Sequence, residues 1–317
     1  MRNSIKKITI VRVCVISSLL FANSVNAQFY FYNSKFYDSP FLFEAGATIG
    51  AMNSLTDLGG KEGIGGKFIK DLNMGNTHFV AGVYLGALYK NSFGLRLEAN
   101  FSRVSAVDSV LSNVPLTDIS RARYNRNLSF RSNITEFALV GEFHPLFVFV
   151  DWTSREFAPS RFSPYLLLGV GFFKFNPQAN LNNSWVDLHP LSTEGQGFPE
   201  YSFRPPYKLN AISFPVGAGV KYELSSNFNL RAEFMFRPTN TDYLDDVSRT
   251  YIDEQAFYNN LTGVNLNNAL ALHDRQRGEY LPQSDPLKKR GNSKDKDQYF
   301  SFNLKIGMLI GRKKISK

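Results

Sequence analysis

The sequence holds a single cysteine in 317 residues, Cys14. It lies in the apolar stretch from Val13 to Ala22, which follows the basic positions Arg2, Lys6, Lys7 and Arg12 and precedes the small residues Val25 and Ala27. A basic start, a short apolar middle and small residues two apart form the layout of a cleaved secretory signal, too short in its apolar part to span a bilayer. We expect a signal peptide over 1–27, with cleavage after Ala27 and Gln28 as the first mature residue. The mature chain then has no cysteine, which excludes disulfides and thiolate metal sites. No acidic residue precedes Ala27, so losing the four basic ones lowers the formal charge from +9 to +5. That surplus is small and forms no basic stripe, so no nucleic-acid partner is expected. No later stretch approaches the roughly 18 consecutive apolar residues of a membrane helix.

Histidine is scarce as well. His78, His144, His189 and His273 are scattered without a His-x-x-x-His pair, which leaves no zinc site to assign. The glycine-rich stretch 60–67 fails the phosphate-loop pattern, and no Gly-x-Ser-x-Gly elbow occurs. No catalytic residue, no cofactor-binding residue and no metal ligand is assigned, and the chain reads as a non-enzyme without a cofactor. A hydrolase built from serine, histidine and an acid that meet at one rim stays open, because spatial proximity is not legible in sequence.

Aromatic side chains are abundant: 29 Phe and 15 Tyr within an aromatic share of 15%, at a mean hydropathy of −0.22. Transmembrane strands combine these properties, because their side chains alternate between lipid and lumen. Period-two patterning predicts eight strands, over 41–51, 77–90, 93–102, 133–143, 163–175, 211–224, 228–236 and 299–310. In the third, Phe93, Leu95, Leu97, Ala99 and Phe101 face one way, and Arg96, Glu98, Asn100 and Ser102 the other. The fifth is nearly continuously apolar, which leaves its faces unassigned. Most are as long as the about 9–11 residues that cross a bilayer at the usual tilt. Strands of soluble sandwiches are commonly about 5–6 residues.

The links between strands are asymmetric. Asn91-Ser92 and Ser225-Ser226-Asn227 are tight turns, whereas 52–76, 103–132, 176–210 and 237–298 are long and polar. Short turns at one end and long loops at the other describe a barrel with both termini periplasmic. The link 144–162, with Phe147, Phe149, Trp152 and Phe157, is longer than a periplasmic turn. Glu44, Arg96, Glu98, Glu136, Lys221, Glu223, Arg231, Glu233 and Lys305 fall on inward faces, where they can pair in an interior just wide enough for side chains. The expectation is an all-β, eight-stranded antiparallel transmembrane β-barrel with long extracellular loops and a filled lumen. A periplasmic segment over 28–40 precedes the barrel at 41–311, and a basic tail over 312–317 follows it. Such a chain belongs in the outer membrane, with outer-membrane lipid as its surroundings.

In the last long loop Asp242, Asp245, Asp246, Asp253 and Glu254 bunch together. Their spacing departs from the EF-hand pattern, and a solvated acidic loop is favoured over a calcium site. The stretch 259–272 shows helical periodicity, and 275–297 is charged.

Three motifs carry a resemblance. The first is Arg126-Asn127-Leu128-Ser129-Phe130-Arg131-Ser132 followed by Ile134 and Glu136, and the second is Thr193-Glu194-Gly195-Gln196-Gly197. The third runs from Arg237-Pro238-Thr239-Asn240-Thr241-Asp242 to Tyr243-Leu244-Asp245-Asp246-Val247-Ser248. With these the chain resembles, over essentially its whole mature length, the PorG-like outer-membrane β-barrel family of Bacteroidota. The resemblance implies a structural or assembly component of a type IX secretion system, associated with the periplasmic ring lipoprotein and its partner. The tail Arg312–Lys317 departs from the common barrel ending in an aromatic residue. Two other readings compete: a barrel enzyme acting on outer-membrane lipid, and a loop-mediated adhesin or small-solute transporter.

Overall fold

Alternation of apolar and polar side chains closes this chain into a ring. A computed structural model describes residues 36–58, 74–113, 115, 120–148, 160–225, 227–277 and 288–314. The expected signal peptide over 1–27, the stretch 60–67, Phe149, Trp152 and Phe157 lie outside the described residues. Strands β1 (Phe36–Leu55), β2 (His78–Tyr89), β3 (Phe93–Val107), β4 (Ser129–Phe143) and β5 (Phe162–Lys174) pair antiparallel in chain order. A hairpin of β6 (Pro177–Leu181) and β7 (Ser184–Asp187) extends β4 beyond the ring. The sixth wall is split into β8 (Asn210–Ser213) and β9 (Val216–Glu223), both paired with β5. Between them stands Pro215, whose ring has no N–H for the ladder, so one expected strand becomes two collinear pieces. Next come β10 (Phe228–Pro238) and β11 (Gln298–Lys314), and β11 pairs with β1 from Gln298↔Leu55 to Lys314↔Phe36. The barrel is closed, with eight walls and all neighbours antiparallel.

Local chemistry explains the ends. The β2–β3 turn holds Lys90 at φ 48° and Asn91 at φ 53°, the pair of positive angles that matches strand twist in a two-residue hairpin. Ser92 N donates to Tyr89 O at 3.0 Å and closes it. The turn therefore centres one residue earlier than Asn91-Ser92. Strand β1 begins at Phe36, ahead of the first alternating residue, and its pairing with β11 shifts between Asp38 and Phe43. At the opposite end β3 and β4 run on to Val107 and Ser129, past the lengths that alternation alone suggests.

The fifth strand resolves cleanly. Leu166, Leu168, Val170 and Phe172 point outward and are exposed, whereas Ser163, Tyr165, Leu167 and Phe173 are buried in the lumen. Its inward positions are themselves largely apolar, which is why the sequence did not reveal its faces.

The long loops fold as well. Within the link 103–132 lies α1 (Arg121–Arg126), and α2 (Pro145–Val148) follows β4 at the periplasmic end. The stretch expected as one helical region over 259–272 is two helices, α3 (Gln255–Asn260) and α4 (Gly263–Leu272). Leu261 is extended and Gly263 has φ 58°, which breaks the hydrogen-bond ladder between them.

Candidate functional site

The inward charges predicted from alternation meet in the middle of the barrel. Arg96 reaches Glu98 at 2.5 Å and Glu233 at 3.0 Å, and also pairs with Glu142. Arg231 reaches Glu44 at 2.5 Å and Glu142 at 2.9 Å. Lys305 bridges Glu98 at 2.7 Å and Glu233 at 2.9 Å, while Arg237 holds Glu136 at 2.9 Å and Lys221 holds Glu223 at 3.0 Å. All these side chains are buried. Three hydroxyls complete the carboxylate shells: Tyr84 donates to Glu44 at 2.5 Å, Tyr165 to Glu233 at 2.5 Å and Tyr299 to Glu136 at 2.8 Å. Ion pairs survive burial when the geometry is close and the remaining lone pairs are satisfied, and the lumen carboxylates meet that condition. Tyr84 lies on the inward parity of β2, so it was legible. Tyr165 was hidden in the apolar fifth strand.

Apolar layers seal this network above and below. Leu42, Leu88 and Leu309 pack across the periplasmic end. At the extracellular end Val80, Val104, Phe130, Ile134, Phe173 and Tyr299 project inward, and Leu244 and Val247 of the last loop descend onto them. The space beside Tyr84, Arg96, Glu142 and Arg231 leaves no room for a water molecule. The lumen is a core and not a pore.

The outer face carries the complementary pattern. Near the turns Phe41 lies 5.0 Å from Tyr89 and Phe93 lies 5.4 Å from Phe143, ring to ring, and Phe162, Tyr222 and Phe228 continue the belt. A second belt of Phe79, Phe101, Phe137, Phe172, Phe214 and Phe302 lies toward the loops. Between the belts exposed Val, Leu, Ile and Met fill the wall, including Val83, Leu97, Leu168, Leu304 and Met308. An apolar band between two aromatic girdles is a surface made for hydrocarbon.

The chain is a closed eight-stranded transmembrane β-barrel.

No protein-family model and no curated protein matches it. Among solved structures it is similar to Neisserial surface protein A at 11% identity, covering 86% of this chain and 98% of that one with a TM-score of 0.32. Ail of Yersinia pestis, in complex with the heparin analogue sucrose octasulfate, matches at 12% identity over 84% of this chain and 99% of that one, with a TM-score of 0.33. OprG of Pseudomonas aeruginosa matches at 12% identity over 88% and 99% of the two chains, with a TM-score of 0.29.

The extracellular loops form a cap with its own core. Ala179, Leu188, Leu191 and Phe198 pack against Ile252, Phe257, Ala269 and Leu272. The three sequence motifs converge beneath it. Arg126 forks onto Asp108 at 2.8 and 2.9 Å and donates to Asp57 O and Arg290 O. Glu194 accepts from Ser248 N, from Arg249 N and from Arg290 at 3.1 Å. Asp246 takes Tyr207 OH at 2.7 Å and the Thr193 hydroxyl.

The acidic loop departs from expectation. Asp242, Asp245 and Asp246 are buried, not solvated, and of the four clustered aspartates Asp253 is the exposed one. Asp245 accepts from Leu58 N and Val247 N, and Asp297 from Leu244 N, so these carboxylates brace backbone. Burial pushes Asp242 up to about 7 and Asp246 up to about 6, and it lifts Asp245 and Asp297 well above the usual carboxylate range. Among the described residues no cluster of His, Cys, Asp and Glu has the geometry of a metal site.

The histidines separate by position. His78 meets Ser105 at 2.7 Å, and His189 sits on Tyr207 O at 2.8 Å. His273 is buried beside Phe257, which pushes it down to about 4. His144 is different: Nδ1 lies 2.9 Å from Ser163 Oγ and Nε2 lies 3.1 Å from Glu142. A serine, a histidine and an acid are thus brought together at the periplasmic end of the lumen, which no sequence spacing announced. The chemistry of a nucleophile nevertheless has no room there. His144 and Ser163 are both fully buried, Glu142 is already engaged by Arg96 and Arg231, and the His144 ring is stacked 4.7 Å from Tyr165. An attacking hydroxyl needs an open approach and donors for an oxyanion. This trio locks the base of the barrel.

Proposed function

We propose that this barrel is a non-enzymatic structural or assembly component of the outer membrane that serves a type IX protein secretion system through its periplasmic face. The observation that carries the proposal is the sealed lumen: a charge core between two apolar layers leaves no path for solute, so the surfaces do the work. The resemblance of the three motifs to the PorG-like barrels supplies the secretion role, and Arg126, Glu194 and Asp246 from those motifs share one buried network. At the periplasmic rim α2 exposes Leu146 at 51% and Val148 at 41%, apolar side chains that suit contact with a ring lipoprotein. The test is a pull-down of the tagged barrel from detergent-solubilised outer membranes, paired with gene deletion. Recovery of the ring lipoprotein and its partner, with loss of type IX cargo from the medium, is expected. Undisturbed cargo secretion after deletion sinks the role.

A second reading has one observation in its favour. The cap exposes Phe203, Tyr258 and Val264, at 62%, 56% and 72%. Exposed aromatics on a rigid scaffold suit protein contact at the cell surface, so an adhesin is the alternative. Binding of purified barrel to host surfaces in the absence of any ring partner would favour it.

A further inference from the structure

Above the upper aromatic girdle the outward positions of three neighbouring walls turn cationic. On β3 the outward series Phe93, Leu95, Leu97, Ala99 and Phe101 continues to Arg103. On β4 the series through Phe137 continues past Thr135 and Asn133 to Arg131, and on β5 the series through Phe172 ends at Lys174. Register places these side by side: Arg103 is opposite Asn133, and Thr135 is opposite Lys174. With strands about 4.8 Å apart and about 3.4 Å per residue along them, the backbones of the three cations lie about 8–14 Å from one another.

Neutral acceptors aim the patch. Arg103 Nε donates to Asn133 Oδ1 at 2.9 Å, and Arg131 Nε donates to Gln178 Oε1 at 3.0 Å. The Arg131 guanidinium also lies 3.7 Å from the centre of the Trp185 ring. Each arginine is therefore held at Nε, while among the described residues neither its terminal nitrogens nor Lys174 meet a carboxylate within ion-pair distance. The lumen arginines behave in the opposite way, with every one paired. The carboxylate of Asp187 accepts from Gln178 and Asn176 and not from an arginine. The cations stand one outward position (Arg103, Lys174) or three (Arg131) above the aromatic belt, where lipid headgroups lie.

We propose that Arg103, Arg131 and Lys174 form a docking site for the phosphorylated headgroup of an outer-leaflet lipid. The terminal nitrogens of the arginines suit phosphate oxygens in a bidentate fork, and Lys174 adds a point charge beside them. Phe101 below Arg103 and Phe172 below Lys174, with Phe137 opposite Phe172, present the apolar wall against which the acyl chains lie. This inference depends on the outer-membrane placement of the barrel and is independent of the secretion role.

The experiment uses the full-length barrel in phosphatidylcholine nanodiscs doped with lipid A, either phosphorylated or enzymatically stripped of phosphate, with retained lipid counted by native mass spectrometry. Preferential retention of the phosphorylated form is expected. The triple variant Arg103→Gln/Arg131→Gln/Lys174→Gln should lose it on the order of a hundredfold, from roughly fivefold per cation near a membrane surface. Arg103→Lys/Arg131→Lys keeps charge and should retain most of the preference, and unchanged gel heat-modifiability shows that each variant is folded. Equal retention of both lipids by the natural sequence overturns the proposal, as does unchanged retention by the folded triple variant. Displacement of the lipid by millimolar inorganic phosphate overturns it too, because the ligand would then be a soluble anion.

Discussion

At the scale of single residues, the most consequential side chains are the lumen arginines. Arg231 bridges Glu44 and Glu142 in full burial, so removing it strands two carboxylates away from water. Breaking a buried pair by deleting one partner costs about 3–5 kcal/mol. Arg231→Met should therefore lower the unfolding free energy of the refolded barrel by about that amount in denaturant titration. A partial recovery is expected in Arg231→Met/Glu44→Gln, which removes one of the two stranded charges. Ser163 gives a second check at this scale. Its hydroxyl contacts His144, yet it is fully buried. A fluorophosphonate probe should leave Ser163 unlabelled in the folded barrel, and labelling there would restore the hydrolase reading. Alternation made Arg231 legible, because Leu230 and Ala232 flank it on the opposite face. The trio of Glu142, His144 and Ser163 was not legible, because it joins the end of one wall to the start of the next, and alternation does not encode how the link 144–162 brings them together.

At the scale of elements, the last long loop behaves as a pH-dependent brace. Folding raises Asp242 from 3.8 to about 7 and Asp246 from 3.8 to about 6, in both cases chiefly by burial. A carboxyl raised in this way favours the folded cap in its protonated form. Its contribution is fully present below pH 3.8 and fades as pH rises through the folded value. His273 works the other way: lowered from 6.5 to about 4, it contributes fully above 6.5 and its contribution is lost as pH falls through 4. Above pH 6.5 only the carboxyls matter, so limited proteolysis of the cap should be faster at pH 8.5 than at pH 6.5. Asp242→Asn should reduce that difference. Asp242 also leaves Oδ1 without a hydrogen-bond partner, and the amide loses the charge at that buried position. A cap equally resistant at both pH values would show that the carboxyls are ionised without cost. The acidic clustering was visible in sequence, but its burial was not. Whether Asp245 faces water or the Leu58 amide is set by a loop 187 residues away along the chain.

At the scale of the whole molecule, the barrel is closed to solute. Planar-bilayer recording on the reconstituted protein should show no resolvable single-channel current. A stable open level would contradict the apolar seals formed by Leu42, Leu88 and Leu309 below and Leu244 and Val247 above. The sequence by itself determined the wall. Period two is a local property of extended chain, so the lipid-facing residues of seven strands, the inward charges and the unequal links were all readable from neighbours along the chain. Only the tertiary structure decided what the inside and the top are made of. The faces of β5 emerged from its register with β4 and β9, the apolar seals from a loop folding back into its own barrel, and the His144 trio from closure of the ring. The cap joins motifs more than fifty residues apart, as Thr193 with Asp246 shows. Contacts of that kind depend on where closure places the chain ends, which strand periodicity does not encode.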